Sequence, residues 1–392
     1  MNAAGRVSRC MPLATGSAAL QIMTMNIEIS RRQLLLATLM APACVRAQLV
    51  TDIAGRKVEL PKRVERIVLG ECRQLYTLAL LEDPPLARVI GWQGDMSTFD
   101  PQTYQQYRAR FPQIDGIAKI GGTSEASVSP EKVLSLRPDL AIFSISGHGP
   151  GRRNPLVEQL QKIGVPVIFI DFREHPLAHT IPSLRLLGQA LGREARAEKF
   201  IAFYEAQTRR VTELTAGIGS AFRPRVLLDA RAGDSAGVLT AGRGSLGELI
   251  EMAGGINAGA DLIPTPLDEA SLEAVIACKP EVYVATGYQH PGTSAPGLRM
   301  GAQVSEAMAR ESLLQVLRRR PEMASLPAVR SGRIHGVWHH FYNTPYHVVM
   351  LQAMAAWLHP QRLAAVDARA TWQQMHREFL GMAPTGQYWI SA

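Results

Sequence analysis

The chain has 392 residues, with 42 basic and 34 acidic side chains and a formal net charge of +8 at pH 7. Its hydrophobic fraction of 46% is ordinary for a globular protein, and its length is sufficient for two domains. The positive excess is scattered and forms no basic stripe with interleaved aromatic residues, which argues against nucleic-acid binding.

The amino-terminal segment is predicted to direct export. Arg31 and Arg32 stand before an apolar run, residues 34–45, that is too short to span a bilayer. Residues 45–47 fit a small-residue cleavage site, which predicts a mature chain that begins at Gln48.

The type of export signal is left open by the sequence. Residues 30–35 resemble a twin-arginine signal, and an ordinary secretory signal with two arginines is the alternative. Cys44 admits a lipoprotein signal as a third alternative. Met25 opens the signal more naturally than Met1, so residues 1–24 are interpreted as an over-extended start within an export segment of residues 1–47.

Cleavage of this segment changes the charge and the cysteine content. It removes five basic residues and one acid, so the formal charge falls from +8 to +4. Cys72 and Cys278 are the cysteines that remain, and they fall in opposite halves of the chain, so two free thiols are expected. No cysteine pair has the spacing of a metal site.

The mature chain opens with strands and helices in alternation. A hairpin is predicted at residues 51–60. Buried strands are predicted at residues 61–70, 87–92, 139–145 and 165–170. Helices are predicted at residues 73–81, 101–110, 129–136 and 154–163. This alternation indicates a mostly parallel sheet that is covered on both faces.

Residues 192–218 predict one long helix. Apolar and small side chains recur at steps of three and four, at Ala197, Phe200, Ile201, Tyr204, Thr208 and Val211. Gly192 and Gly217 bound the segment, as glycines commonly do at helix ends. We interpret it as a rigid linker between two lobes; a surface helix of a single domain is the alternative.

A repeat on either side of this helix favours two lobes. Residues 129–142 and 271–284 each contain a Ser-capped short helix, a basic residue, a proline, an acid and a buried strand. Two such units in matching register indicate two similar α/β lobes, residues 48–191 and 219–392. Further elements are predicted at residues 225–230, 246–252, 281–286, 304–319, 333–338 and 345–358, with a terminal helix at 368–380.

The order of these motifs resembles the periplasmic substrate-binding proteins of ABC importers, in the helical-strut group that carries ferric siderophores, haem and cobalamin. The matching motifs include Arg137-Pro138-Asp139-Leu140, Tyr342-Asn343-Thr344-Pro345 and residues 51–56, 63–68, 89–92, 163–167, 249–257 and 358–360. The resemblance implies an α/β fold of two Rossmann-like lobes, each with a mostly parallel central sheet, joined by one rigid α-helix. It also implies a ligand held in the cleft without covalent chemistry.

The resemblance further implies where the protein acts and with which partners. A monomer in the periplasm would deliver its ligand to an ABC permease and its ATPase, downstream of a TonB-dependent outer-membrane receptor. Family members dock through one exposed acid on each lobe. Glu251 matches the second-lobe position, and Glu158 is the nearest acid in the first lobe. No cofactor, metal site or nucleic-acid partner is expected.

Ligand-binding residues are predicted from the carboxyl ends of the strands, which face the crevice in parallel α/β lobes. Glu71 and Cys72 follow the first sheet strand, next to the first predicted ligand contact. The predicted ligand contacts are Arg73, Trp92, His148, Arg231, Arg243, Tyr288, His339, His340 and Tyr342. The alternative for each arginine is a solvated surface charge, and for Trp92 it is core packing.

Several ligands and one other class of function stay open. The arginines favour an acidic iron chelate such as a ferric siderophore. Haem, bound through Tyr342 or a histidine, and cobalamin are alternatives within the family. A secreted metal-dependent hydrolase using His339 or His340 is the enzyme alternative. Residues 242–247 do not have the spacing of a nucleophile elbow, and no His-Glu-x-x-His motif is present.

Overall fold

Two five-stranded sheets, one in each half of the chain, organise the molecule. The computed structural model describes residues 48–122, 127–149, 154–289 and 297–392. The predicted export segment therefore lies outside the described residues. In the part of the chain that is described, no helix is both long enough and apolar enough to cross a membrane.

The first lobe contains a hairpin, a parallel sheet and the helices that cover it. Its strands are β1 (Gln48–Thr51), β2 (Lys57–Leu60), β3 (Ile67–Leu69), β4 (Val89–Gln93), β5 (Ala118–Gly121), β6 (Leu140–Ser144) and β7 (Val167–Ile170). Its helices are α1 (Leu75–Leu81), α2 (Met96–Phe99), α3 (Pro101–Arg110), α4 (Pro130–Ser135), α5 (Ile145–His148), α6 (Pro155–Lys162) and α7 (Pro176–Leu191). Strands β1 and β2 are antiparallel, and the sheet has the order β5-β4-β3-β6-β7 with every pair parallel.

Both faces of this sheet are buried, as predicted. Along β6, Leu140 and Ile142 pack into one apolar core, and Ala141 and Phe143 pack into a second core on the opposite face. Successive side chains of a strand point to opposite faces, so a strand that is apolar at every position must be covered on both sides. The uninterrupted apolar sequence of residues 140–143 is therefore explained by the interior place of β6 in the sheet.

One helix, α8 (Glu194–Thr215), links the lobes. Its 22 residues extend about 33 Å at ~1.5 Å per residue. The buried residues include five of the predicted six, but Thr208 is half-buried and Phe203 and Gln207 are buried in addition. The buried surface is wider than predicted because α8 packs against several helices, chiefly α7 and residues 347–358.

The second lobe repeats the parallel sheet and adds one antiparallel edge strand. Its strands are β8 (Arg225–Asp229), β9 (Val238–Ala241), β10 (Ile256–Asn257), β11 (Leu267–Ala270), β12 (Val282–Gly287), β13 (Ile334–Trp338) and β14 (Trp389–Ser391). Its helices are α9 (Ser245–Met252), α10 (Leu272–Ala277), α11 (Glu306–Arg318), α12 (Pro327–Arg330), α13 (His347–Leu358) and α14 (Ala368–Met375). The sheet order is β10-β8-β12-β13-β14, with β14 antiparallel, and β9 and β11 form a separate antiparallel pair.

The repeated sequence unit has the same local structure in both lobes. The Ser129 hydroxyl accepts from the Lys132 N–H, and the Ser271 hydroxyl accepts from the Ala274 N–H, each at 3.2 Å. These bonds satisfy free amides in the first turn of α4 and α10. The predicted Ser caps are confirmed, and so is the two-lobed α/β fold.

The repeat matches beyond the caps. Arg137 and Lys279, the basic residues before the two prolines, both adopt left-handed backbone conformations, with φ of 49° and 47°. The acids that follow each accept a backbone N–H at the start of the lobe's first sheet strand. Asp139 accepts from Arg66, just before β3, at 3.0 Å, and Glu281 accepts from Arg225, the first residue of β8, at 2.9 Å. The same turn therefore fixes the same pair of strands in each lobe.

Hydrogen bonds and a continuous apolar core join the lobes. The Arg196 guanidinium on α8 donates to the carbonyls of Leu80 and Phe379, at 2.8 and 2.6 Å. The Tyr346 hydroxyl donates to the Tyr76 carbonyl at 2.8 Å. One apolar core extends from the hairpin of the first lobe to β14, and the chain from residue 47 onward forms one compact unit. The lobe boundaries at residues 191 and 219 stay predictions. Cys72 and Cys278 are free thiols, as predicted.

Candidate ligand-binding site

A cavity of about 660 Å³ lies between the lobes, at the carboxyl ends of the parallel strands of both sheets. Its walls are formed by residues that follow β3, β4, β6 and β7 in the first lobe and β8, β12 and β13 in the second. The lining residues are Gly70, Glu71, Cys72, Arg73, Gln93, Gly94, Phe99, Gly122, Gly147, His148, Arg173, Arg231, Leu267, Tyr288, His339, His340 and Tyr342. Open α/β sheets place ligands in this position.

Arg73 contacts residues of both lobes in the cavity wall. Its guanidinium donates to the Glu71 carboxylate at 2.8 Å and to the Tyr342 hydroxyl at 3.4 Å, and it lies 5.1 Å from the Phe99 ring centre. Burial alone would raise the pKa of Glu71, but the positive charges of Arg73 and Arg173 outweigh burial and lower it. The pair is therefore ionised, and it joins the first lobe to Tyr342 of the second.

Tyr342 lies between two guanidinium groups. The Arg173 Cζ is 5.3 Å from the centre of its ring, and the His339 ring lies 4.5 Å away on centroids. Burial opposes ionisation of the phenol, but the charges of Arg173 and Arg73 prevail and lower the pKa of Tyr342 below its ordinary value. The phenol oxygen is consequently a strong acceptor in the cavity wall.

The two adjacent histidines are neutral. His339 Nδ1 is 2.7 Å from the Thr286 hydroxyl, and His340 Nε2 donates to the Phe99 carbonyl at 3.2 Å. Burial and the nearby positive charges lower the pKa of His339 well below its ordinary value and that of His340 to about 3. Both rings therefore offer hydrogen bonds and aromatic surface without adding charge.

In the second lobe, the cavity wall contains the cation of Arg231 and the neutral phenol of Tyr288. Arg231 has a left-handed backbone, with φ of 50°, and its N–H donates to Thr286 at 2.9 Å. The Tyr288 hydroxyl donates to Asp234 at 3.2 Å, and burial together with this carboxylate raises the pKa of Tyr288 to about 12. Among the described residues that line the cavity, three carry guanidinium groups, Arg73, Arg173 and Arg231, and one, Glu71, carries a carboxylate.

Seven of the nine predicted ligand contacts line this cavity, and two lie elsewhere. Those in the wall are Arg73, His148, Arg231, Tyr288, His339, His340 and Tyr342. Trp92 is 2% exposed and packs in the first-lobe core, while the next residue of β4, Gln93, reaches the cavity. Arg243 has a side chain 79% exposed and pairs with Asp261 at 3.1 Å. It follows β9, which belongs to the separate antiparallel pair, so the rule for parallel strand ends does not apply to it.

Apart from glycines, four lining residues were not indicated by the sequence. Arg173 follows β7 by three residues, so the strand-end rule that selected Arg73 would also have selected it. Gln93 is the last residue of β4 and lines the cavity, whereas the sequence predicts its neighbour Trp92. Phe99 on α2 and Leu267 on β11 reach the cavity from elements that carry no sequence signal for a cleft.

The exposed arginine gives a direct control for the cavity arginines. Arg243→Ala is expected to leave ligand affinity within about twofold, because an exposed ion pair contributes little. Arg231→Ala is expected to weaken binding by roughly 1–3 kcal/mol, the usual worth of a hydrogen bond to a charged group. Titration calorimetry on both variants compares them. An equal loss in the two would contradict the cavity assignment.

Comparison with known proteins agrees with this architecture. A family model described as periplasmic binding protein matches residues 86–337, which is more than half of the chain. The chain belongs to this family. The family and its ABC-transporter relatives are substrate-binding proteins and not enzymes, so the hydrolase considered above is excluded.

Solved periplasmic binding proteins share the fold. The TroA-like protein FepB of Veillonella parvula is 22% identical, with a TM-score of 0.77, over 88% of this chain and 99% of that protein. The molybdate-bound MolA structure of Haemophilus influenzae is 17% identical, with a TM-score of 0.67, over 87% and 100%. Identities this low establish a common fold and leave the ligand undetermined.

Sequence relatives cover shorter segments. The molybdate-binding protein MolA is 26% identical over 145 residues, and the match spans 36% of this chain and 38% of that relative. An uncharacterised ABC transporter substrate-binding lipoprotein of Bacillus subtilis, YvrC, is 22% identical over 241 residues, 60% of this chain and 68% of that protein. Of these two sequence relatives, MolA is named for its ligand, molybdate, and YvrC is named only for its substrate-binding role.

Proposed function

We propose that this periplasmic binding protein holds an anionic iron chelate of the ferric siderophore type and delivers it to the permease of an ABC importer. The observation that carries the proposal is the excess of guanidinium groups over carboxylates among the described residues that line the cavity. Guanidinium groups bind carboxylate and catecholate oxygens through charge-assisted hydrogen bonds, which are about twice as strong as neutral ones.

The size of the cavity supports a chelate rather than a bare oxyanion. Pockets of roughly 300–1,000 Å³ bind drug-sized organic ligands, and this cavity of about 660 Å³ falls in that range. A tetrahedral oxyanion fills only a small part of such a volume. Phe99, Tyr288 and Tyr342 supply aromatic surface for the organic part of a chelate.

Haem is a second candidate, favoured by one observation. The Tyr342 phenol lies in the cavity with a lowered pKa, and its oxygen is 3.4 Å from the Arg73 guanidinium. A phenolate is one of the side chains that hold haem iron in proteins. The propionates of haem would pair with the remaining arginines.

Native mass spectrometry of the protein purified from its own periplasm tests these candidates. A bound mass with the isotope pattern of iron and a dissociable organic chelator is the expected result. A mass equal to haem would select the second candidate. Molybdate or another small oxyanion as the resident ligand would overturn the proposal. The same spectrum measures whether the mature chain begins at Gln48, the proposed product of export.

Docking on the permease is proposed to use two exposed acids. Glu251 lies on α9 of the second lobe and Glu158 on α6 of the first, and both are exposed. Several ion pairs at an interface set orientation and association rate although each contributes little affinity. Glu251→Arg is therefore expected to leave ligand affinity unchanged and to reduce uptake of ⁵⁵Fe-labelled ligand roughly tenfold, with Glu158→Arg weaker.

The control for docking is Glu205→Arg on α8, an exposed carboxylate on the linking helix. It introduces the same charge change and is expected to leave uptake normal. Loss of ligand binding in Glu251→Arg would assign that residue to the cavity or the core. Normal uptake by the Glu251→Arg and Glu158→Arg double variant would remove both residues from the docking face.

A further inference from the structure

The turn after β7 is organised by one buried carboxylate. Asp171 is completely buried and accepts four hydrogen bonds. One oxygen receives the backbone N–H groups of Arg173 and Glu174, each at 2.8 Å. The other receives the His175 N–H at 2.9 Å and lies 2.7 Å from His179 Nδ1. Three consecutive amides and one imidazole thus converge on a single side chain.

The backbone of Asp171 is held in place by Ser183. The Ser183 hydroxyl on α7 donates to the Asp171 carbonyl at 3.1 Å and lies 2.9 Å from the Asp171 N–H, from which it accepts. Asp171 therefore has its backbone anchored to a long helix and its side chain anchored to the turn. A turn with its amides satisfied in this way has little freedom to change conformation.

This turn presents Arg173 to the cavity. The Arg173 guanidinium lies over the Tyr342 ring, at 5.3 Å from its centre, and lines the cavity. Among the described residues, no oxygen accepts a hydrogen bond from this guanidinium, in contrast to Arg73 with its bond to Glu71. Because its own side chain makes no such bond, the place of Arg173 depends on the backbone that carries it.

The same turn is also tied to the second lobe. The Ser245 N–H at the start of α9 donates to the Glu174 carbonyl at 2.9 Å. His175 Nδ1 lies 3.0 Å from the Glu248 carboxylate, which also accepts from the Leu177 N–H at 3.3 Å. The turn is consequently fixed relative to both walls of the cavity.

We propose that Asp171 is the positioning residue for Arg173, and that it determines affinity for anionic ligand by holding this guanidinium in the cavity without contacting ligand. The inference rests on the proposed function for its effect on affinity, and on the hydrogen bonds of the turn for its structural part. An aspartate is required here because both carboxylate oxygens accept from donors. The amide of an asparagine would set an N–H₂ group against the His175 and His179 donors.

A double-mutant cycle with a crystal structure tests the proposal. The probe is the ferric complex of 2,3-dihydroxybenzoate, with affinity measured by fluorescence quenching. Asp171→Asn is expected to weaken binding roughly tenfold in the wild-type chain and less than about twofold in an Arg173→Ala background, because the residue acts only through Arg173. Its crystal structure is expected to show Arg173 displaced from the Tyr342 ring.

Two further variants keep the test decisive. His179→Ala removes one of the four donors at a partly exposed site and is expected to fold and to weaken binding in the same direction. Asp139→Asn is the matched control, because Asp139 also accepts two backbone N–H groups, those of Glu65 and Arg66, at the amino ends of the first-lobe strands and away from the cavity. It is expected to leave probe affinity unchanged.

The outcomes separate this inference from the proposed function. An equal loss with and without Arg173 would overturn the positioning role, as would a crystal structure of Asp171→Asn with Arg173 in its wild-type place. Failure of the wild-type protein to bind the probe would count against the proposed ligand class, and the crystal structure would then decide the inference by itself.

Discussion

Arg73→Ala is expected to cause the largest loss of ligand binding of any single change in the cavity, about 2–4 kcal/mol or roughly 30- to 1,000-fold in Kd. Two effects add. The variant loses a charge-assisted donor to the ligand, and it leaves the Glu71 carboxylate, now bonded to Arg73 at 2.8 Å, without that neutralising partner. An unpaired carboxylate in the wall repels an anionic ligand. Titration calorimetry with the ligand identified by mass spectrometry measures the loss.

The Glu71→Gln variant separates the two effects. In the Arg73→Ala background this variant removes the repulsion. It is expected to lower the Kd of Arg73→Ala about tenfold, which corresponds to about 1.4 kcal/mol. In the wild-type background it is expected to maintain or increase affinity, since Arg73 is then free to bond the ligand. Unchanged affinity in Arg73→Ala would rule out an anionic ligand at this wall.

Arg320→Met is expected to cause the largest loss of stability, about 3–5 kcal/mol in the free energy of unfolding at pH 7. The Arg320 guanidinium is buried, pairs with the buried Asp229 at 2.6 Å and donates to the Ser235 and Gly237 carbonyls. Without Arg320, Asp229 still accepts a hydrogen bond from the Tyr283 hydroxyl at 2.7 Å, but it has no positive charge to neutralise it. Urea unfolding followed by circular dichroism measures the change.

The loss is expected to shrink in acid. Burial raises the pKa of Asp229 even with Arg320 in place, and removal of the guanidinium raises it further. The folded state then binds a proton more tightly than the unfolded chain does. Stability therefore falls as the pH rises from the unfolded pKa of about 3.9 through the folded pKa, and the penalty of Arg320→Met is smallest at the acidic end.

A second variant tests the cause of that penalty. Asp229→Leu combined with Arg320→Met removes both charges, and its cost is expected to be smaller than that of Arg320→Met alone, because no unpaired charge is left buried. A double variant at least as unstable as the single one would show that packing and not charge is responsible.

The fold could be predicted because its signals are local and repeated. The apolar sequence of β6, the Ser129 and Ser271 caps and the prolines after Arg137 and Lys279 each act within a few residues. Their physical causes are backbone hydrogen bonding and burial, which depend mainly on neighbouring sequence. Because the carboxyl ends of parallel strands face the crevice, the predicted strand ends also indicated that Arg73 and Arg231 lie in the cavity wall.

The site was less predictable because its details depend on single-residue geometry. Trp92 and Gln93 are adjacent on β4, yet one packs in the core and the other lines the cavity. Arg243 lies outside this cavity because it follows β9, and the sequence does not show that β9 pairs with β11 outside the parallel sheet. Phe99 and Leu267 reach the cavity only through tertiary packing, which no local pattern encodes.

The apolar core that passes from the first lobe through α8 into the second has a thermodynamic consequence. Neither half contains that core alone, and Arg196 bonds to carbonyls on both sides of it. The molecule is therefore expected to melt in one cooperative transition, with equal calorimetric and van't Hoff enthalpies, although its sheets are separate. Two fragments made by cutting the chain after Gly217 should therefore be unfolded when they are separate. When they are mixed they should fold together and give a single heat-capacity peak.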